Sequence, residues 1–466
     1  MLLAILPVII WPLLPWPRPR WMDGLPSAAL LLMAASLAIE GYRWQMLPAY
    51  YLVIIVFLAT LPRLRSSSSS TSQEQRSGWA IAGSVLGLLV WLAALALPYL
   101  LPVPVLPDVA GPYAIGTQTF HLVDESREEI YTADPADKRQ IMVQIWYPAE
   151  ESARSETAKY LEDLDVMGPA LAESLGLPSF LFDHIGLVDL DVQKSVPLLA
   201  DNGPYPILVF SHGLRGMRAQ NTAMVRELAS QGFVVATIDH SYGNVLTVFP
   251  DGRVAFYAPD ILSGEGDPPH TSHTLVSVWA NDISYVLDRL SDWNKENGNA
   301  FESQLDLSRI GVFGHSTGGG AAVQFCGSDD RCRAVIGLDA WLVPVSEEII
   351  SAGLAQPFLF LQADQWGFDD AGQNDARLEG LLANVNATGY LARIAGAAHY
   401  DFTDIPLFSP LTAQLGLSST MEGKYLAKMM NSMTSAFFRQ ELNGEGENLV
   451  HRAMVFPEMS LESSGR

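Results

Sequence analysis

One stretch constrains the fold of this 466-residue chain more than any other: Gly314-His315-Ser316-Thr317-Gly318-Gly319-Gly320. It directly follows the apolar run Ile310–Phe313 and opens a segment of small residues. The run reads as a buried strand and the small residues as a helix packed close against it. A serine between them at GxSxG spacing sits on a strained strand-to-helix turn, where neighbouring Cβ atoms would clash. The helix start then offers free N–H groups and its positive dipole end to negative charge developing on a substrate. Ser316 is the candidate nucleophile.

The pattern around this turn is repetitive. Ile115–Leu122 and Gln140–Trp146 alternate apolar and polar, as half-buried antiparallel strands do. Short apolar runs follow at Ile207–Phe210, Phe233–Ile238, Ile310–Phe313, Ala334–Leu338, Phe358–Leu361 and Tyr390–Ile394. Helical stretches such as Ala223–Ser230, Val276–Leu290 and Thr317–Phe325 separate several of them. Apolar strands alternating with helices predict an α/β fold, a mostly parallel sheet with helices on both faces. Val248–Phe256, with Pro250-Asp251-Gly252 at its centre, reads as a hairpin outside that sheet. Residues 151–200 read as helical but poorly patterned, able to cap the site. The last helix covers about Tyr425–Leu442, which sets the catalytic domain at 108–445 and leaves 446–466 as a loose C-terminal tail.

A serine needs a base. Only His399 and His451 follow Ser316 in the chain, the order this turn type uses. His399 comes after the strand Tyr390–Ile394 through Ala395-Gly396-Ala397-Ala398, where a base belongs, whereas His451 lies in the polar tail. Asp339 and Asp364 each end a strand and compete for the acid that orients the histidine. Ser211-His212-Gly213-Leu214-Arg215-Gly216 follows the strand Ile207–Phe210. A His-Gly turn there supplies one oxyanion donor and the residue after the nucleophile the other, which assigns the Leu214 and Thr317 amides. His212 itself reads as a packed structural residue.

Residues 1–107 differ in kind. They hold six Arg and three acidic residues, so of the chain's 28 basic and 51 acidic residues the remainder carries 22 and 48. Apolar stretches cover Met1–Trp16, Leu25–Ile39, Leu47–Pro62 and Trp79–Leu106, and Gly78 to Pro107 contains no charge. About 20 mostly apolar residues cross about 30 Å of hydrocarbon. Residues 1–107 are therefore expected to form a membrane region with three or four transmembrane helices, the first stretch being short and broken by prolines. Arg18 and Arg20 lie in one loop and Arg63, Arg65 and Arg76 in another, against Arg43 alone between them. Positive loops stay cytoplasmic, which predicts an integral protein of the cell membrane with its catalytic domain on the extracytoplasmic side. The Ser66–Ser70 run reads as a flexible loop, and Pro98, Pro102, Pro104 and Pro107 as a stiff spacer.

With the body outside, Cys326 and Cys332 are placed to form a local disulfide, the alternative being two buried free thiols. Two thiols are too few for structural zinc. His270 and His273 with Asp267 read as a polar loop rather than a metal site, so no metal is expected. No dinucleotide or phosphate-cradling motif appears, and no cofactor is expected. A net charge of −23 repels nucleic acid. No motif addresses the oligomeric state.

Phe210-Ser211-His212-Gly213-Leu214, Gly314-His315-Ser316-Thr317-Gly318-Gly319, Leu338-Asp339-Ala340-Trp341 and His399 with Asp401-Phe402-Thr403-Asp404 together resemble the plasma-type platelet-activating factor acetylhydrolases. The resemblance spans about residues 110–445. It implies an α/β-hydrolase fold, preceded here by an N-terminal transmembrane helical region that is not part of the family pattern. It also implies hydrolysis of short sn-2 acyl groups of phospholipids, and it selects Asp339 as the acid. Thr317 replaces a bulkier residue common in the family. The expected protein is a membrane-anchored serine esterase using Ser316, His399 and Asp339, with a small-molecule ester or phospholipid as substrate. A general carboxylesterase or polyester hydrolase on the same machinery is the alternative, and a non-catalytic hydrolase-like ectodomain is the alternative of another class.

Overall fold

The four apolar stretches of the first hundred residues form helices α1 (Leu2–Ile10), α2 (Leu25–Glu40), α3 (Leu47–Arg65) and α4 (Gly78–Leu100). The computed structural model describes residues 1–16, 18–65, 78–151, 155–174, 176–264, 271–364, 366–385, 387–446 and 448–464. Ile5 and Ile9 of α1 pack with Ala29 and Met33 of α2 and with Tyr50, Leu52 and Val53 of α3. Among the described residues three helical segments are long and apolar enough to cross a membrane, Arg20–Glu40, Trp44–Pro62 and Gly78–Leu100, while Leu2–Leu13 is shorter. The serine run expected as a flexible loop, 66–72, lies outside the described residues.

This first compact unit is not a plain N-terminal block. It comprises Met1–Pro104 together with Gly168–Val188 and Phe408–Leu411. The Trp44 indole N–H donates to Leu181 O at 3.2 Å, and its ring meets Phe180 edge-on at 5.1 Å. Among the described residues of the segment 151–200, expected as helical, α5 (Leu164–Ser174) and a 3-10 stretch (Ser179–Leu187) are helical and much of the rest is not. Pro169 is accommodated inside α5, whereas Pro178 stands in extended backbone before the 3-10 stretch and lacks the N–H that a continuous helix would need there.

The second unit, Val105–Met167, Asp189–Leu407 and Thr412–Arg466, holds the sheet. Its strands are β1 (Ile115–Glu128), β2 (Lys138–Pro148), β3 (Gln193–Lys194), β4 (Tyr205–Ser211), β5 (Val234–Asp239), β6 (Leu246–Val248), β7 (Val254–Phe256), β8 (Leu305–His315), β9 (Cys332–Leu338), β10 (Phe358–Ala363), β11 (Gly389–Ile394) and β12 (Met459–Ser464). The main sheet runs β12-β11-β10-β9-β8-β4-β5-β2-β1-β3, and β6 and β7 form a separate hairpin. From β11 to β5 the strands are parallel, with β2 and β12 antiparallel on either side. Parallel neighbours need crossovers. These are α6 (Thr222–Ser230), α7 (Ser272–Lys295), α8 (Thr317–Ser328), α9 (Glu347–Ala352) and α10 (Ala371–Ala383), with α11 (Gly423–Asn443) and α12 (Leu449–Ala453) after β11.

Every residue of β4, β5 and β10 is buried, as strands covered on both faces require. Val209 and Val312 share a core with Val276 and Trp279 of α7 and Ala321 and Ala322 of α8. The next residue along each strand points to the opposite face. There Phe210 and Phe313 meet at 5.0 Å, and Phe438 of α11 packs on Phe313 at 5.9 Å.

One expectation is corrected. The segment 446–466, expected as a loose tail, holds α12 and β12 in its described residues, and β12 pairs with β11 from Gly389↔Ser464 to Ile394↔Met459. An edge strand is held by backbone hydrogen bonds and carries little apolar pattern to announce it.

Strand order reverses at β4, which has β5 on one side and β8 on the other. Sites in such sheets form beyond the strand C-termini at this reversal. Register does the rest: Ser211 pairs with Gly314 and His315 with Leu338. His212, Ser316 and Asp339 therefore leave the sheet side by side.

Candidate active site

Strand β8 ends at His315 and α8 begins at Thr317, leaving Ser316 on the turn with φ +54°. Such a backbone costs about 1–3 kcal/mol and persists only where its surroundings enforce it. Here the Ser316 N–H donates to Leu338 O at 3.0 Å, and its carbonyl accepts from Gly320 N at 3.1 Å and Trp341 N at 2.9 Å. A Cβ on Gly318 would lie 2.1 Å from Ser211 O and 2.3 Å from His212 O, so glycine is obligatory where the elbow meets the end of β4.

Asp339 leaves β9 with φ +42° and is buried. Its Oδ1 accepts from Ala363 N at 3.0 Å, and its Oδ2 lies 2.6 Å from His399 Nδ1. An ionised carboxylate accepts, so His399 donates from Nδ1 and Nε2 is left free to take a proton. Asp401 Oδ2 accepts from Ala398 N at 2.8 Å and its Oδ1 from Ser419 N at 3.0 Å, which fixes the loop carrying His399. The imidazole is boxed by His315 at 4.5 Å, Phe368 at 4.9 Å, Trp366 at 5.1 Å and Tyr400 at 5.2 Å. Asp370 holds two indoles nearby, accepting from Trp341 at 2.6 Å and Trp366 at 2.8 Å. Among the described residues Ser316 Oγ makes no hydrogen bond to His399. Such contacts often tighten only when substrate binds.

His315 joins the loops. Gln220 Nε2 donates to its Nδ1 at 2.9 Å, so its Nε2 carries the proton and donates to His399 O at 3.0 Å. Burial, with His399 beside it, holds His315 well below the usual histidine range and hence neutral. Gln220 Oε1 accepts from Gly213 N at 3.0 Å, and Gly216 N donates to Gly213 O at 2.8 Å. A Cβ on Gly213 would meet His315 Nδ1 at 2.8 Å and Ser316 Cβ at 3.4 Å, so the His-Gly turn lies directly against the elbow. Among the described residues neither the Leu214 nor the Thr317 N–H donates to a protein acceptor. Both remain available to an oxyanion.

Other candidates are not brought in. Asp364 is exposed and makes no bond to His399, and His451 is exposed on α12. His273 Nδ1 bonds Pro344 O at 2.9 Å, while His270 and Asp267 lie outside the described residues. Cys326 and Cys332 form a disulfide with Cα atoms 5.2 Å apart, tying the end of α8 to the start of β9.

The sequence reading missed a second Ser-His-Asp line. Ser211 Oγ lies 2.8 Å from His240 Nε2, and His240 Nδ1 lies 2.9 Å from Asp282 Oδ2. All three are 0% exposed, so no substrate reaches them. Asp282 also binds Arg139 at 2.6 Å and Arg127 at 2.8 Å. Burial opposes its charge, but the two guanidiniums prevail and hold the carboxyl far below the ordinary carboxylate range. The residues of this line are 29 and 42 positions apart in sequence, so no local motif announces it.

The family described as platelet-activating factor acetylhydrolase, isoform II, matches residues 103–248 and 285–452. The platelet-activating factor acetylhydrolase of Cavia porcellus is 25% identical over 386 residues, covering 74% of this chain and 83% of its own. A probable 1-alkyl-2-acetylglycerophosphocholine esterase of Arthroderma benhamiae is 28% identical, covering 65% and 76%. The ferulic acid esterase of Streptomyces cinnamoneus superposes with a TM-score of 0.63 at 27% identity, covering 77% of this chain and 99% of that one. The sheet and its helices are consistent with the α/β-hydrolase architecture. By the extent of the family match, the chain belongs to the platelet-activating factor acetylhydrolase, isoform II, family and is an ester hydrolase.

Proposed function

We propose that the chain is a membrane-anchored serine esterase that removes short acyl groups from the sn-2 position of phospholipids. The observation that carries the mechanism is the 2.6 Å pairing of His399 Nδ1 with Asp339 Oδ2, beside a serine held on a strained elbow. Ser316 Oγ attacks the ester carbonyl while His399 Nε2 takes its proton, and Asp339 fixes the tautomer and stabilises the imidazolium. The Leu214 and Thr317 N–H groups hold the oxyanion. His399 then protonates the departing alcohol, and water, deprotonated by the same histidine, releases the acid from the acyl-enzyme.

The names of the relatives and the aromatic wall of Trp366 and Phe368 beside His399 support short acyl chains. Each methylene in a closed apolar pocket is worth about 1–3 kcal/mol of discrimination, so activity should drop beyond a few carbons. Three spans, at Arg20–Glu40, Trp44–Pro62 and Gly78–Leu100, would tether the enzyme at a bilayer. Tethering raises the local lipid concentration without new contacts. The uneven arginine distribution, with Arg18, Arg20, Arg63, Arg65 and Arg76 against Arg43 alone, supports a catalytic domain outside the cytoplasm. Its acidic body disfavours anionic lipids and suits zwitterionic ones.

The likeness to a ferulic acid esterase favours a second reading, an esterase of small soluble esters. kcat/KM of the full chain in detergent, across an acyl-length series of phosphatidylcholines beside p-nitrophenyl esters, separates the two. Turnover of soluble esters with none on any phospholipid removes the lipid reading.

A further inference from the structure

We infer that His212 is a positioning residue for the Leu214 oxyanion donor, orienting the Gly213–Leu214 peptide through a hydrogen bond to its carbonyl oxygen. The inference rests on the proposed role of the Leu214 N–H.

His212 is fully buried at the end of β4, and its Nε2 lies 3.2 Å from the backbone nitrogen of His240. A backbone N–H only donates, so Nε2 accepts and carries no proton. Burial, and then the neighbouring His240, hold His212 well below the usual histidine range, so the ring is neutral and its single proton is on Nδ1. Nδ1 lies 2.7 Å from Gly213 O and donates to it. That oxygen belongs to the same planar peptide as the Leu214 N–H, which points the opposite way. Fixing the oxygen fixes the N–H.

Gly216 N donates to the same oxygen at 2.8 Å, so two donors pin the peptide from one side. Donation to a carbonyl also polarises the amide and strengthens its N–H as a donor. The ring is itself held. His212 meets Trp279 at 4.9 Å and His240 at 5.1 Å, and His240 stacks on Trp279 at 4.3 Å. The buried Ser211–His240–Asp282 line then has a use, because it anchors the residue whose backbone N–H selects the His212 tautomer.

Two substitutions in the full-length protein, in detergent, separate orientation from packing. Asn in H212N places its amide nitrogen near the Nδ1 position and still donates to Gly213 O. Gln in H212Q reaches the Nε2 position and still accepts from His240, but leaves Gly213 O without the side-chain donor. H212Q should lose on the order of 10²-fold in kcat with KM within about threefold, since a loosened oxyanion donor acts on the transition state. H212N should stay within about tenfold of wild type, despite its larger cavity and lower melting temperature. Affinity for a trifluoromethyl ketone, which forms a tetrahedral oxyanion adduct, should follow the same order.

Activity in H212Q equal to or above that in H212N, or losses that track melting temperature, would overturn the inference. Should either variant fail to melt cooperatively, the ¹⁵N-histidine spectrum of wild type decides: an Nδ1-protonated His212 supports the inference, and an Nε2-protonated one removes it. Fluorophosphonate labelling of wild type, and its loss in Ser316→Ala, tests the underlying reading separately. If labelling does not depend on Ser316, that reading fails. If it does and the Asn and Gln order is reversed, only the role of His212 fails.

Discussion

Gln220 and His315 form the bridge between the two loops that flank Ser316: the glutamine nitrogen donates to His315 Nδ1 at 2.9 Å while its oxygen accepts from Gly213 N at 3.0 Å. Both bonds fail in Gln220→Ala, and a buried donor, Gly213 N, and a buried acceptor, His315 Nδ1, lose their partners. Each such loss costs about 1–3 kcal/mol, so the melting temperature should fall. Displacement of the turn should lower kcat/KM by roughly 10- to 100-fold. Gln220→Glu still accepts from Gly213 N but cannot donate to His315, and should fall between wild type and the alanine variant. Kinetics beside thermal melts check both.

Ser316→Ala should abolish esterase turnover and fluorophosphonate labelling without changing the melt. Asp339→Asn should lower kcat by roughly 10⁴ through the wrong histidine tautomer, as in serine proteases. Asp364→Asn, at an exposed position with no bond to His399, should be nearly silent. A crippled Asp364→Asn beside an active Asp339→Asn would reverse the acid assignment.

Burial pushes Asp404 up to about 7, against the Ala223 N–H and Tyr160 hydroxyl that bond its carboxyl. An acid whose folded pKa lies above its unfolded value of about 3.9 binds its proton more tightly when folded. Its contribution is full below about pH 4 and is lost as pH rises through about 7. Asp404→Asn removes this titration. Relative to wild type, the variant should gain several degrees in melting temperature between pH 5 and pH 8, and an unchanged difference would contradict the shift.

The Cys326–Cys332 bridge closes a short loop, since the residues are six positions apart. Extrapolating the loop-length relation gives about 2 kcal/mol of stabilisation. The paired Cys→Ser variant should melt several degrees lower. In intact cells the cysteines should resist alkylation until reduced, and an added protease should reach the catalytic domain. Protection of that domain from the protease would overturn its placement outside the cytoplasm.

Signals carried by consecutive residues were legible from the chain alone. Four apolar residues before Gly314 announce a strand, the glycines announce a turn, and the charge-free run from Gly78 announces a long apolar helix. Each depends on local backbone preference and on which face is buried, and both repeat with the period of the element. The antiparallel edge strand Met459–Ser464 escaped because the exposed backbone row of β11, not a core, specifies it.

The sequence by itself determined the elbow serine, the strands and helices that present it, and the apolar character of the first hundred residues. Residue by residue it left Asp339 and Asp364 level, both at strand ends, until a family resemblance favoured Asp339. Only the tertiary structure put Asp339, and not Asp364, 2.6 Å from a histidine 60 residues away. It alone assembled Gln220, His212 and His240 around the Gly213 turn. Bonds between distant side chains depend on the register of parallel strands and on the path of their crossovers. Local periodicity records neither.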